Sequence, residues 1–244
     1  MSMPTRSAFL SSWFAVVSMM AASPLAQETK FSRARIIIEF NASAEDVGIQ
    51  VFLDGDPWKR LQVFDPNERQ ILAITGTNSL RKQGLTELFF ESSEPSLADL
   101  PLKDFLARFP AGKYEFEGET IDGTALESTA VLSHIIPAGP EIVLPVSPDD
   151  DPPLVDPNDL VIEWEPVTET ITGSGRIQIT GYQVIVEQEE PLRIFSIDLP
   201  ASATSVAVPP GFLVQRNTLH KFEVLAIQKG GNQTITEGEF VTLP

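Results

Sequence analysis

The chain has 244 residues, 17 of them Lys or Arg against 34 Asp or Glu, a formal net charge of −17, two histidines and no cysteine. That composition excludes disulfides, thiolate metal sites and a cysteine nucleophile. An acidic field with no basic stripe also argues against nucleic acid as a partner.

In chain order, residues 1–26 read as a secretory signal peptide. Arg6 supplies a positive n-region, Ala8 to Ala22 is uncharged and apolar, and Ser23-Pro24-Leu25-Ala26 precedes Gln27. The apolar run is shorter than the roughly twenty residues that span a bilayer, and no later segment is long enough, so no membrane span is expected in the mature chain. An exported chain without cysteine points to a bacterial periplasm or exterior, where the sequons Asn41-Ala-Ser43 and Asn232-Gln-Thr234 carry no meaning.

Residues 27–146 read as a first β-sandwich-like domain. Arg35 to Phe40 is β-branched, and Gly48 to Leu53 alternates up to Asp54-Gly55, which predicts a hairpin turn before Arg60 to Phe64. Asp65-Pro66-Asn67-Glu68 predicts a second turn leading into Gln70 to Thr75. Thr86 to Glu91, Lys113 to Glu117 and Ser128 to Ile136 predict further strands. One short helix is expected, because Leu102, Phe105, Leu106 and Phe109 share a face between Pro101 and Pro110. Its apolar stripe is expected to cap the sandwich.

Residues 147–156, rich in Pro and Asp, predict an extended linker. Beyond it, Leu160, Ile162 and Trp164 alternate inward, followed by Gly181-Tyr182-Gln-Val184-Ile-Val186, Thr204 to Val208, and Thr218-Leu-His220-Lys-Phe222-Glu-Val224-Leu-Ala226 before Gly230-Gly231. These segments resemble a fibronectin type III domain over about residues 155–244. The strand patterns on both sides of the linker predict an all-β chain of two β-sandwich domains in tandem; the resemblance implies that the second (157–244) is fibronectin type III/immunoglobulin-like, while the first half resembles no family. His220 stands where that family has a tyrosine whose hydroxyl ties a turn into the core; an imidazole can donate the same bond.

Candidate chemistry is sparse. His134 and His220 lack metal-ligand spacing, so structural roles are expected. No Gly-x-Ser-x-Gly or P-loop pattern occurs, and Gly173-Ser174-Gly175 is too short to cradle phosphate. The acidic stretch suggests a calcium site: Asp149, Asp150 and Asp151, with Asp156 and Asp159, offer oxygens at a domain junction. Asp54-Gly55-Asp56 is a weaker candidate. For ligands, Trp58 and Tyr114 are the aromatic platforms left over from the expected core, and Lys229 and Asn232 lie at a sandwich-end turn. The expectation is an exported, non-catalytic binding or structural module that meets another protein or a surface glycan. The alternatives are a carbohydrate-binding protein on Trp58 or Tyr114, then an extracellular glycoside hydrolase on paired carboxylates.

Overall fold

The computed structural model describes residues 28–147, 151–173 and 177–244; the expected signal peptide lies outside them. Strands hold 53% of the chain and helices 6%, so the all-β expectation stands.

The first half contains β1 (Glu28–Thr29), β2 (Arg33–Asn41), β3 (Asp46–Phe64), β4 (Gln70–Thr75), α1 (Asn78–Gln83), β5 (Leu85–Glu91), α2 (Leu102–Arg108), β6 (Gly112–Thr120) and β7 (Ala125–Leu132). Its layers are organised by β3, whose 19 residues serve both sheets. The first part of β3 pairs with β2 and β5, and the second part with β4 and β6. The crossing falls at Asp54-Gly55, where a hairpin was expected. A hairpin turn of that type needs positive φ at both central residues, and neither Asp54 nor Gly55 has it. The strand instead runs on through a bulge, the β5 register jumping between Asp54 and Trp58. Gly55 is required by close approach: a Cβ there would stand 2.9 Å from the Phe31 ring. The bend turns Trp58 inward, among Phe31, Leu61, Tyr114 and Phe116.

The turn expected at Asp65-Pro66-Asn67-Glu68 does close a β3–β4 hairpin. The Asp65 carboxylate accepts from the Asn67 and Arg69 amides, both at 2.9 Å, and from Arg69 Nε at 2.7 Å. Burial raises its pKa, but these bonds and the Arg69 charge together hold it below the usual aspartate value. Helix α2 packs Leu102, Phe105, Leu106 and Phe109 on the first core, as its spacing predicts. Helix α1 was not expected. It buries no residue, so there was no apolar stripe to read.

The second half contains β8 (Ile142–Leu144), β9 (Leu154–Val155), β10 (Val161–Trp164), β11 (Ile179–Gln188), β12 (Arg193–Pro200), β13 (Ser205–Ala207), β14 (Leu219–Gln228) and β15 (Gln233–Thr242). A three-stranded layer, β8-β10-β13, faces the layer β15-β14-β11-β12, the three-on-four arrangement of a fibronectin type III/immunoglobulin-like sandwich. Between the layers lie Trp164, Tyr182, Phe222 and Phe240, with Trp164 and Tyr182 ring centroids 5.3 Å apart. The Tyr182 oxygen accepts from the Val167 amide at 2.9 Å.

The Pro/Asp stretch does not separate the two cores. β8 precedes it and already pairs with β10, while β9 lies inside it and pairs in parallel with β15. The expected linker therefore starts on one layer of the second sandwich and ends on the other. Three residues of β8 are too short a run for an alternation signal. The chain crosses between the cores at Pro137, since Ile136 is buried in the first and Ala138 packs on the second, and β15, paired with β2, meets this crossing through Thr234.

Candidate functional site: the junction between the sandwiches

β2 belongs to the first sandwich and β15 to the second, and they pair in parallel at Glu39↔Gln233, Phe40↔Thr234 and Asn41↔Ile235. One layer of each sandwich thereby joins the other into a continuous sheet, β5-β3-β2-β15-β14-β11-β12. Because Phe40 and Thr234 share a register position, both cores lie on the same side of that sheet.

Asn232 clamps this joint. Its Oδ1 accepts from the Ile38 amide at 2.9 Å, and its Nδ2 donates to the Ser133 and Ile135 carbonyls at 2.8 and 2.9 Å. The side chain is 1% exposed. Thr234 Oγ1 adds a bond to the Pro137 carbonyl at 2.6 Å. Gly139 passes so close to both halves that a Cβ would sit 2.6 Å from Ala42 and 2.8 Å from Thr236. Sequence reasoning placed Asn232 at an exposed ligand-binding turn. It is a buried structural bridge, because the β2 edge closes over the turn that carries it.

On the solvent face of the joint stands a cluster of acids. Oxygens of Glu39, Glu91 and Glu94 lie within 4.8 Å of one another. Gln50 Nε2 donates to Glu39 and to Glu91, each at 2.8 Å. Gln233 of the second sandwich donates to the other Glu39 oxygen. Burial, reinforced by the charges of Glu91 and Glu94 and offset in part by Gln233, pushes Glu39 up to about 7. Glu94 is also pushed up to about 7, by partial burial and then by Glu91 and Asp46. One oxygen from each of the three glutamates could serve a divalent cation. Glu91 and Glu94 are near neighbours in sequence, but Glu39 is remote from both, so spacing offered no signal for the trio.

Among the described residues, the expected calcium ligands are not gathered. Asp149 and Asp150 lie outside the described residues, and Asp151 is exposed. Asp156 spends one oxygen on the Asn158 amide and side chain, both at 2.9 Å, in a turn closed by the Asp159 amide. Those Asn158 bonds hold the Asp156 carboxyl below its usual value. Among the described residues, only the glutamate trio brings acids to metal-binding separation. Asp54 lies in mid-strand with Ser32 Oγ at 2.9 Å from its carboxylate.

The aromatic platforms are also corrected. Trp58 and Tyr114 are 0% exposed and belong to the first core. The Tyr114 hydroxyl donates to the Pro110 carbonyl at 3.1 Å, and burial pushes its pKa up to about 12. Lys229 is exposed at the β14–β15 turn. His134 follows β7 and donates from Nε2 to the Phe109 carbonyl at 2.8 Å, a tie to the end of α2. His220 is buried in the second core, its Nδ1–H donating to the Thr218 carbonyl at 3.0 Å.

No protein-family model matches the chain, and no curated protein matches it. Among solved structures, a tetra-tandem repeat in the extending region of a large adhesion protein aligns over 86% of this chain at 9% identity and a TM-score of 0.30. The chain spans 49% of that structure. A segment of two fibronectin type III domains from chicken tenascin aligns over 86% of this chain and 98% of its own, at 12% identity and a TM-score of 0.29. A 1.5-MDa bacterial ice-binding adhesin aligns over 89% and 66%, at 13% identity and a TM-score of 0.26. At these values the likeness decides neither family nor function; strand order and core composition define the fold.

Proposed function

We propose that this protein is an exported, non-catalytic binding or structural module that works as a stiff two-sandwich unit in contact with another protein or a surface. The observation that carries the reading is the joint: strand pairing between β2 and β15 with Asn232 buried across it. Tandem domains linked only by a flexible chain move independently by default. Here main-chain pairing and a satisfied buried amide oppose that motion. Export rests on the uncharged Ala8 to Ala22 run, and mature protein is expected to begin at or near Gln27. Among the described residues no helix is long and apolar enough to cross a membrane.

The carbohydrate-binding alternative has lost both of its expected platforms to the core. Small-angle scattering of the mature protein tests the stiff-unit reading. A single extended particle is expected, unchanged between calcium and chelator. Scattering typical of two freely moving lobes would overturn it.

A further inference from the structure

The continuous sheet carries both cores on one side, so its other face runs across both halves of the molecule. Two hollows open on that face, one to each side of the joint, and their charges are opposite. On the first sandwich, a hollow of about 200 Å³ is lined by Arg33, Arg35, Phe52 and Phe89, among neutral neighbours and no acid. Both arginines are exposed, and the Arg33 guanidinium lies 5.3 Å over the Phe52 ring. Phe89, 57% exposed, stands in register beside Phe52, and Phe52 beside Arg35. Asp54 lies opposite Arg33 in register, but its carboxylate takes a bond from Ser32. Neither arginine forms an ion pair among the described residues.

On the second sandwich, a hollow of about 460 Å³ is lined by Glu187, Glu223, Glu237 and Glu239 around Lys221. Lys221 is already paired with Glu189 at 2.8 Å, and none of the four acids has an ion pair of its own among the described residues. Burial, then the charges of Glu237 and Glu187, raise the Glu223 pKa above its usual value, as expected of acids without a compensating cation. One hollow lacks anions and the other has a surplus of them. The joint keeps them apart within one molecule, so each is complementary to the opposite hollow of a second copy.

The register sets them symmetrically. On β2, Arg35 and Arg33 precede the Glu39↔Gln233 pair by the same intervals at which Glu237 and Glu239 follow it on β15. At about 3.3 Å per residue, each pair stands about 13 to 20 Å from the joint, in opposite directions, and alternate positions share one face. We propose that this face is the contact between two copies of the chain, related by a two-fold axis through the joint and parallel to the sheet, so that Arg33 and Arg35 of each copy meet Glu237 and Glu239 of the other. A two-fold contact of this kind is self-complementary. Arg and aromatic side chains are the types that carry binding energy at such contacts. The net charge of −17 opposes association. That repulsion is screened beyond about 8 Å at physiological salt, whereas the hollows meet at contact. The inference rests on the stiff-unit reading, because a freely moving joint would not hold both hollows in one fixed relation.

Sedimentation velocity of the mature protein over a range of concentration tests it, with monomer, dimer and no larger species expected. Arg33→Glu with Arg35→Glu should weaken the dimer about a hundredfold, since a two-fold contact counts each reversal twice. Glu237→Arg with Glu239→Arg should do the same. An equimolar mixture of these two variants is expected to restore the dimer to within about tenfold of wild type, because both contacts then regain opposite charges. Phe89→Ala, an exposed truncation, should weaken the wild-type dimer about tenfold. Circular dichroism checks that each variant is folded; should the glutamate reversal not fold, the arginine and Phe89 variants decide. A protein that stays monomeric, a dimer indifferent to the arginine reversal, association that continues past the dimer, or a mixture of folded variants no tighter than either alone would each overturn the proposal. Stiffness is read separately, because scattering from the monomeric arginine variant reports the joint without the dimer.

Discussion

Tyr114 and His220 occupy corresponding corners of the two sandwiches, and they solve the corner differently. Each lies near the start of a central strand, β6 or β14, with its ring buried and a polar atom bonded to a carbonyl upstream. Tyr114 has one polar atom at the tip of an otherwise apolar ring, and Pro110 satisfies it. His220 has two nitrogens. Nδ1 binds the Thr218 carbonyl, while Nε2 is buried with no partner. Its ring stacks on Phe240, with centroids 5.0 Å apart and planes 4° from parallel, and meets Phe212 edge-on at 6.2 Å. An imidazole therefore fixes the same turn and packs well, but leaves one buried acceptor unsatisfied. The comparison teaches that a corner needs a donor at one point, and that any further polar atom on the ring is a liability.

The largest effect expected is loss of either core's tryptophan. Trp58→Ala and Trp164→Ala should each cost about 3–5 kcal/mol in chemical denaturation, because both are buried large side chains. A loss below about 1 kcal/mol for Trp58 would return it to the surface and undo the bend assigned to β3.

Asn232→Ala should cost about 2–4 kcal/mol, since it strands the Ile38 amide and two carbonyls at the joint. It should also split one unfolding transition into two, which calorimetry would reveal. A variant that unfolds like wild type would mean that the sandwiches are coupled by strand pairing alone.

The corners themselves come next. Tyr114→Phe should destabilise the first sandwich by about 1 kcal/mol, whereas His220→Phe should cost less or stabilise, since it removes an unsatisfied atom as well as a bond. Equal losses at the two corners would remove the distinction drawn between them.

The smallest and most selective test is pH. Burial, opposed by the Thr218 bond, holds the His220 pKa below its usual 6.5. The second sandwich should keep its full stability above about 6.5 and lose it as pH falls through the lower, folded value. Glu39 behaves oppositely: its pKa rises from 4.5 to about 7. Its contribution is complete below 4.5 and is lost as pH climbs toward 7. Denaturation curves over this range should show His220→Phe removing the acid-side loss and Glu39→Gln the loss toward neutrality. Slopes unchanged in both variants would show that neither group is linked to folding.

Local pattern made much of the fold legible. A β-branched run marked β2, a turn signal marked β4, period-two alternation marked β10, β11 and β14, the apolar stripe marked α2, and Trp164 was read as core because it sits in such an alternation. Short or unpatterned elements, α1 and β8 among them, gave no periodic signal. The candidate site was hardly legible at all. Trp58 follows Asp-Gly-Asp-Pro, a run that locally encodes a turn, and only packing against Phe31 makes it a bend into the core.

What the sequence by itself determined was the class of structure, the identity of the second core and the absence of cysteine chemistry, because these depend on residue type and spacing within one segment. What the tertiary structure decided was where the halves meet. The pairing of β2 with β15, the burial of Asn232 and the meeting of Glu39, Glu91 and Glu94 join residues as much as 194 positions apart. Contacts of that kind depend on which edges remain open after each sandwich has closed, and no local pattern encodes an edge.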